Sequence, residues 1–204
     1  EATRVPRLMK LPEIVGISGT SGAGKDTTGH VLVKYGYKFT SLSDTLRAEL
    51  DIQGREHTRE NLRQLSREWH REHGPDHLVH RTIALYRNEK ESFDYKGLAI
   101  GSIRRPAEAK VIQSQGGMVL WLDADRKVRF DRIQAAHRGR AEDAATFEQW
   151  CRDEDAEMTP PADDDGSALN MAGVRDMADV KIDNSFEDER HFDEHIIRQF
   201  ELSE

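Results

Sequence analysis

Hydrophobic residues come in short bursts, separated by longer polar stretches that carry an apolar stripe. Ile14-Val15-Gly16-Ile17 is a run fit for a strand, and after a glycine-rich turn residues 25–35 put Val31, Leu32 and Tyr35 on one helical face. A second strand over 37–42 leads to Ser43-Asp44, a pair suited to capping a helix through Leu46 and Leu50. The pattern then predicts helices over 58–73 and 75–90, parted by Gly74-Pro75, a strand over 97–101, and a helix running from the Arg105-Pro106 turn to Gln115. A strand over 118–122, helices over 125–136 and 146–157, a strand over 179–182 and a closing helix with Phe192, Ile196 and Phe200 on one face complete the series. This rhythm calls for an α/β fold: a five-stranded parallel sheet covered by helices on both sides.

Composition narrows the setting. The chain has 204 residues, enough for one sizeable core but not for two. Residues 1–12 show no periodicity and read as a leader or tag remnant without order, leaving one domain over 13–204. The single cysteine, Cys151, cannot make an internal disulfide, which fits a reducing compartment. No apolar run approaches the ~20 residues that span a bilayer, so the expectation is a cytoplasmic protein with no membrane association. A net charge of −8 argues against a nucleic-acid partner, whose backbone is bound mainly through clustered Lys and Arg. The acidity gathers in residues 142–165, where Arg152 is the single basic residue, and reads as a solvated face.

The segment richest in chemistry follows the first strand: Gly19-Thr20-Ser21-Gly22-Ala23-Gly24-Lys25-Asp26-Thr27. It has the spacing Gly-x-x-x-x-Gly-Lys between a strand and a helix. Such a loop turns backbone N–H groups inward onto phosphate oxygens, adds the positive potential of a helix N-terminus, and reaches the β and γ phosphates with its lysine. ATP, with Mg2+, is the cofactor this implies, and Gly19, Ser21, Gly22, Ala23, Gly24, Lys25, Asp26 and Thr27 are the residues to hold it. Asp26 stands where many such loops have the Ser or Thr that binds magnesium, so it either meets the ion through water or caps the helix, and Thr27 is the next hydroxyl.

With these segments in order, the chain resembles the nucleoside-monophosphate-kinase-like branch of P-loop proteins, especially dephospho-CoA kinases and a related group of archaeal kinase-like proteins. The likeness runs through the P-loop, Ser43-Asp44-Thr45-Leu46-Arg47, Glu60-Asn61-Leu62 with Arg71 to Pro75, Ile103-Arg104-Arg105-Pro106-Ala107-Glu108, Val128-Arg129-Phe130-Asp131-Arg132 with Arg138-Gly139-Arg140, and Ile182-Asp183-Asn184-Ser185. It implies a three-layer P-loop NTPase fold with a helical acceptor-binding insert over 51–96 and a lid and acidic loop over 137–165.

The resemblance also implies roles. Asp44 matches the acidic residue after the second strand, where it either orients the acceptor hydroxyl or holds hydrated magnesium; its alternative is a helix cap. Arg47 lies one turn on and would grip an acceptor phosphate. Arg104 matches an acceptor-phosphate arginine after the third strand. The archaeal group reads Asp-Gly-Ile-Arg there against Gly101-Ser102-Ile103-Arg104 here, so that aspartate is missing and Asp44, Asp26 or Thr27 is left to place the metal. Arg138 and Arg140 match lid arginines that neutralise charge on the transferred phosphoryl group. Asn184 matches a loop beside the adenine.

His70, His73, His77 and His80 read as a polar helix face rather than a metal cluster, Asp123 and Asp125 as a helix cap, and Trp69, Tyr86 and Trp121 as core or pocket aromatics. The implied activity is transfer of the γ-phosphoryl group of ATP to a small phosphorylated acceptor, either dephospho-CoA or a nucleoside or deoxynucleoside monophosphate. The competing class is a nucleotide-binding regulatory module with weak or no transfer.

Overall fold

The computed structural model describes residues 8–136, 145–162 and 168–203. Five strands, β1 (Ile14–Gly19), β2 (Tyr37–Ser41), β3 (Gly97–Gly101), β4 (Met118–Asp123) and β5 (Val180–Asp183), make one all-parallel sheet in the order β2-β3-β1-β4-β5. The helices among the described residues are α1 (Lys25–Lys34), α2 (Leu42–Ile52), α3 (Arg59–His73), α4 (His77–Phe93), α5 (Pro106–Ser114), α6 (Arg126–Ala136), α7 (Phe147–Met158), α8 (Met171–Met177) and α9 (Glu189–Gln199).

The central strands are apolar on both faces because both faces are covered. Ile14, Leu98, Ile100, Val119 and Trp121 point to one side, where Val79, Ile83 and Tyr86 of α4, Ala109 and Ile112 of α5 and Val174 of α8 meet them. Val15, Ile17, Ala99, Leu120 and Leu122 point to the other and pack with Val31 and Leu32 of α1 and Phe192 and Ile196 of α9. The alternation is the period of two that a pleated strand imposes. Since β1 is the middle strand, the loop that leaves its carboxyl end is flanked by the segments following β3 and β4, the crevice where α/β sheets bind ligands.

Three features depart from the sequence reading. Residues 8–12, expected to lie outside the fold, run along it: the Met9 N–H donates to the Gln199 carbonyl at 3.0 Å, Tyr37 donates its hydroxyl to the Pro12 carbonyl at 2.9 Å, and Met9 and Leu11 pack on the core. The second helix begins earlier than Ser43-Asp44 suggested, because Ser41 is its N-cap and Asp44 the reciprocal partner of a capping box. Helix α8, with Met171 and Val174 buried, was not foreseen: seven residues make too short a stripe to register as periodic. Within 51–96, Leu65 of α3 joins Leu46 and Leu50 of α2 in a small cluster, while α4 is part of the layer covering the sheet.

Candidate active site

The glycine-rich loop is fixed by its surroundings at each step. The Thr20 N–H donates to the Leu122 carbonyl at 3.1 Å and its hydroxyl to Asp123 Oδ1 at 2.7 Å, so the loop leaves β1 still attached to the end of β4. The carbonyl of Ser21 accepts from Arg129 Nη1 at 3.0 Å, and that of Ala23 from Asn184 Nδ2 at 2.9 Å. Gly24 is the N-cap of α1 with φ 93°, and a Cβ there would stand 2.5 Å from Asn184 Nδ2, so both the backbone angle and the neighbour require glycine. Asp26 therefore lies inside the first turn of α1 and is not its cap; a carboxylate there is favoured by the helix dipole. Thr27 follows it in the same turn, as the chain order requires.

Lys25 folds back so that Nζ donates to the Thr20 carbonyl at 2.6 Å. Burial lowers its pKa to about 8, aided by the guanidinium of Arg104 and then of Arg129, and opposed by Asp26 and Glu154. Arg104, from the loop after β3, thus bears electrostatically on the loop lysine. Buried Glu108 builds its loop. The carboxylate accepts from the N–H groups of Arg104 at 2.8 Å and Arg105 at 3.0 Å and from Arg105 Nη1 at 3.0 Å. Burial pushes the Glu108 carboxyl up, against the Arg105 guanidinium and these N–H donors. Ser102, where the archaeal group has glycine, holds φ 64°, a conformation suited to glycine.

Asp44 and Arg47 meet each other, with Arg47 Nη1 2.6 Å from Asp44 Oδ1. The other carboxylate oxygen of Asp44 accepts from the Ser41 N–H at 2.9 Å and hydroxyl at 2.8 Å. Partial burial raises the Asp44 pKa, but the bonds from Ser41 and Arg47 outweigh it and hold the group below the usual carboxylate range. Arg138 and Arg140 lie outside the described residues. A cleft of about 370 Å3 opens beside Gly19, Thr20 and Ser21, with Gln149, Trp150, Asp153 and Glu154 of α7 as its far wall.

Some residues of this site do more than the sequence suggests. Asp125 caps α6 as expected, accepting from the Lys127 N–H at 2.8 Å, but Asp123, which reads as part of the same cap, holds the Thr20 hydroxyl. Arg129 is buried against the loop and paired with the half-buried Glu154, and Glu108 shapes the turn after β3. The signal available for Arg129 and Glu108 was their place in the Val128 to Arg132 and Ile103 to Glu108 segments; Glu154 lay hidden in an acidic run. Of the histidines, His73 and His77 pack ring on ring with centroids 4.3 Å apart, and His80 lies beside Asp76. Among the described residues no group of three or more His, Cys, Asp or Glu is arranged to hold a metal.

No family profile matches the chain. A UPF0200 protein of Pyrobaculum aerophilum is 28% identical over 141 residues, spanning 67% of this chain and 72% of the relative. Among solved structures, shikimate kinase from Bacteroides thetaiotaomicron superposes with a TM-score of 0.57 at 14% identity, over 93% of this chain and 98% of that one. The chain has the P-loop kinase fold. The tunicamycin resistance protein of Deinococcus radiodurans is similar as well, with a TM-score of 0.55 at 13% identity over 94% of this chain and 98% of that one. The segment 19–27 joins β1 to α1 with the Gly-x-x-x-x-Gly-Lys spacing, and the loops after β3, β4 and β5 lie beside it. No helix among the described residues is long and apolar enough to cross a membrane.

Proposed function

We propose that the protein is an ATP-dependent phosphotransferase that moves the γ-phosphoryl group to a small nucleotide-like acceptor, either dephospho-CoA or a nucleoside or deoxynucleoside monophosphate. The observation that carries this reading is the geometry of the loop: Lys25 folds back onto the Thr20 carbonyl at 2.6 Å at the start of a helix whose N-cap is Gly24. Arg104, from the loop after β3, is near enough to help lower the lysine pKa, which supports a place for both cations beside phosphate.

In this mechanism the N–H groups from Gly22 to Lys25 and the α1 N-terminus bind the β and γ phosphates. Lys25 leaves the Thr20 carbonyl for the β,γ bridge, and Arg104 grips the acceptor phosphate. Asn184 keeps the loop shape beside the adenine. Where the acceptor atom is a hydroxyl, as in dephospho-CoA, Asp44 orients it; where it is the phosphate oxygen of a monophosphate, Asp44 acts through Arg47, which it holds in place beside the acceptor phosphate. Arg138 and Arg140 close over the triphosphate and neutralise charge as transfer proceeds. Magnesium, when bound with the nucleotide, would supply further charge neutralisation on the phosphates. The oxygens of Asp26 and Thr27 in the first turn of α1, or of Asp44, would hold that hard cation directly or through its waters.

The test is a panel of candidate acceptors with ATP and magnesium, read by ADP release. Acceptor-dependent turnover that Lys25→Ala abolishes is the expected result. ATP binding without turnover on any acceptor would replace the kinase with a nucleotide-responsive regulatory module.

A further inference from the structure

Arg129 is an arginine in the wrong place for a surface helix. Its side chain is 2% exposed, and all of its contacts run to other segments of the site. Nε donates to the Ala124 carbonyl at 2.9 Å and lies 3.4 Å from Asp123 Oδ1, at the end of β4. Nη1 donates to the Ser21 carbonyl of the phosphate loop at 3.0 Å. Both terminal nitrogens reach Glu154 of α7, Nη1 to Oε1 and Nη2 to Oε2 at 2.9 Å, and the guanidinium lies 5.0 Å from the ring of Trp150, one turn earlier on α7. Its own backbone carbonyl stands 2.8 Å from where a Cβ on Gly22 would be, so α6 presses directly on the loop.

A buried ion pair is weak evidence of stabilisation, because desolvation offsets most of the attraction; what such a pair supplies is geometry. Here the geometry is a three-way join. A planar fork with five donors can satisfy Ser21, Ala124 and Glu154 together, and a lysine cannot. Glu154 has a second partner, Arg126 at 3.4 Å, but that side chain is much more exposed. The helix carrying Glu154 and Trp150 is the far wall of the cleft.

We propose that the Arg129–Glu154 pair is a strut coupling α7 to the phosphate loop, which makes Arg129 a positioning residue for nucleotide. Through it the Ser21 carbonyl is turned away from the phosphate space, and any shift of the loop on binding ATP moves α7 and Trp150. The proposal rests on the nucleotide-site reading above but not on the identity of the acceptor.

The experiment measures ATP binding by calorimetry and by tryptophan emission, with Trp150→Phe identifying the Trp150 share of the signal. For the wild-type chain the expectation is a change in Trp150 emission that saturates with the calorimetric binding curve. Glu154→Gln keeps the shape of the side chain and removes its charge; it should weaken ATP roughly tenfold and abolish most of the emission change. Arg129→Lys should do the same, since charge without the fork cannot join the three segments. The double variant should lose no more than the worse single one, as residues acting as a unit do. A thermal melt separates this from loss of fold, and Glu154→Gln carries the test if Arg129→Lys does not fold. Wild-type affinity and emission response in Glu154→Gln, or additive losses in the double variant, would overturn the strut. Failure of the wild-type chain to bind ATP would overturn the nucleotide site itself, and the strut with it.

Discussion

Asn184 donates from Nδ2 to the carbonyl of Ala23 at 2.9 Å, across 161 residues of chain, so the loop after the last strand holds the phosphate loop from below. Asn184 is buried, and its amide nitrogen is also what forbids a side chain at Gly24. Removing the amide in Asn184→Ala leaves a buried carbonyl without its donor, at a cost of about 1–3 kcal/mol. Asn184→Asp sets a carboxylate against that carbonyl and is expected to be worse. Urea melts of the three proteins give the order; a stability for Asp equal to that of Asn would show that the amide is not the donor.

The lysine of the loop sets a pH dependence. Below pH 8 Lys25 is charged in the folded and the unfolded chain alike, and the fold carries the whole penalty of burying it. Between about 8 and about 10.4 the folded chain has released that proton while the unfolded chain keeps it, so stability gains with rising pH across that window. Lys25→Met lacks the penalty. Its lead in stability over the wild type should therefore be largest at pH 7 and shrink toward pH 10, measured by urea unfolding; a constant gap would contradict a depressed pKa.

Ser102 occupies a left-handed conformation at φ 64°, which costs a non-glycine residue about 1–2 kcal/mol. Ser102→Gly removes this strain but loosens the unfolded chain, for a net gain between zero and about 1 kcal/mol. Ser102→Val should lose stability, because a β-branched side chain tolerates the conformation least. Melting temperatures ordered Gly, Ser, Val test it, and a Val variant as stable as Ser would show that the loop after β3 adjusts freely.

Asp44 divides shape from charge. In Asp44→Asn the amide oxygen can still close the capping box, so stability should change by less than about 1 kcal/mol. Turnover with the acceptor found in the panel should fall on the order of a hundredfold if the carboxylate orients the acceptor hydroxyl. Normal melting with normal turnover would leave Asp44 as the capping partner of Ser41 alone.

The sheet was legible because each strand announces itself locally: apolar runs such as Ile14 to Ile17 are bounded by turns and followed by amphipathic stripes. The glycine-rich turn was legible because its backbone takes positive φ at Gly22 and Gly24, which the glycine spacing records. What escaped notice depends on distant partners. Asp123 looked like a cap because caps are local, whereas its bond to Thr20 joins residues 103 positions apart. Glu154 was indistinguishable from Asp153 and Asp155 in an acidic run, since only the fold decides which carboxylate of a helix faces a buried guanidinium. The same holds for Met9, whose backbone partner Gln199 lies at the other end of the chain and which shows no period of its own.

The middle position of β1 also bears on how the chain is made. Its first residues pair with Leu98 on one side and Met118 on the other, so a ribosome adding ~5–20 residues per second works for several seconds before either neighbour exists. During that interval this strand, buried along its whole length in the finished fold, has α1 for cover but no strand beside it. Fragments that end before β3 should accordingly be captured by chaperones or aggregate, and the nucleotide loop can acquire its shape only after β4 and the loop beyond β5 have arrived to hold it.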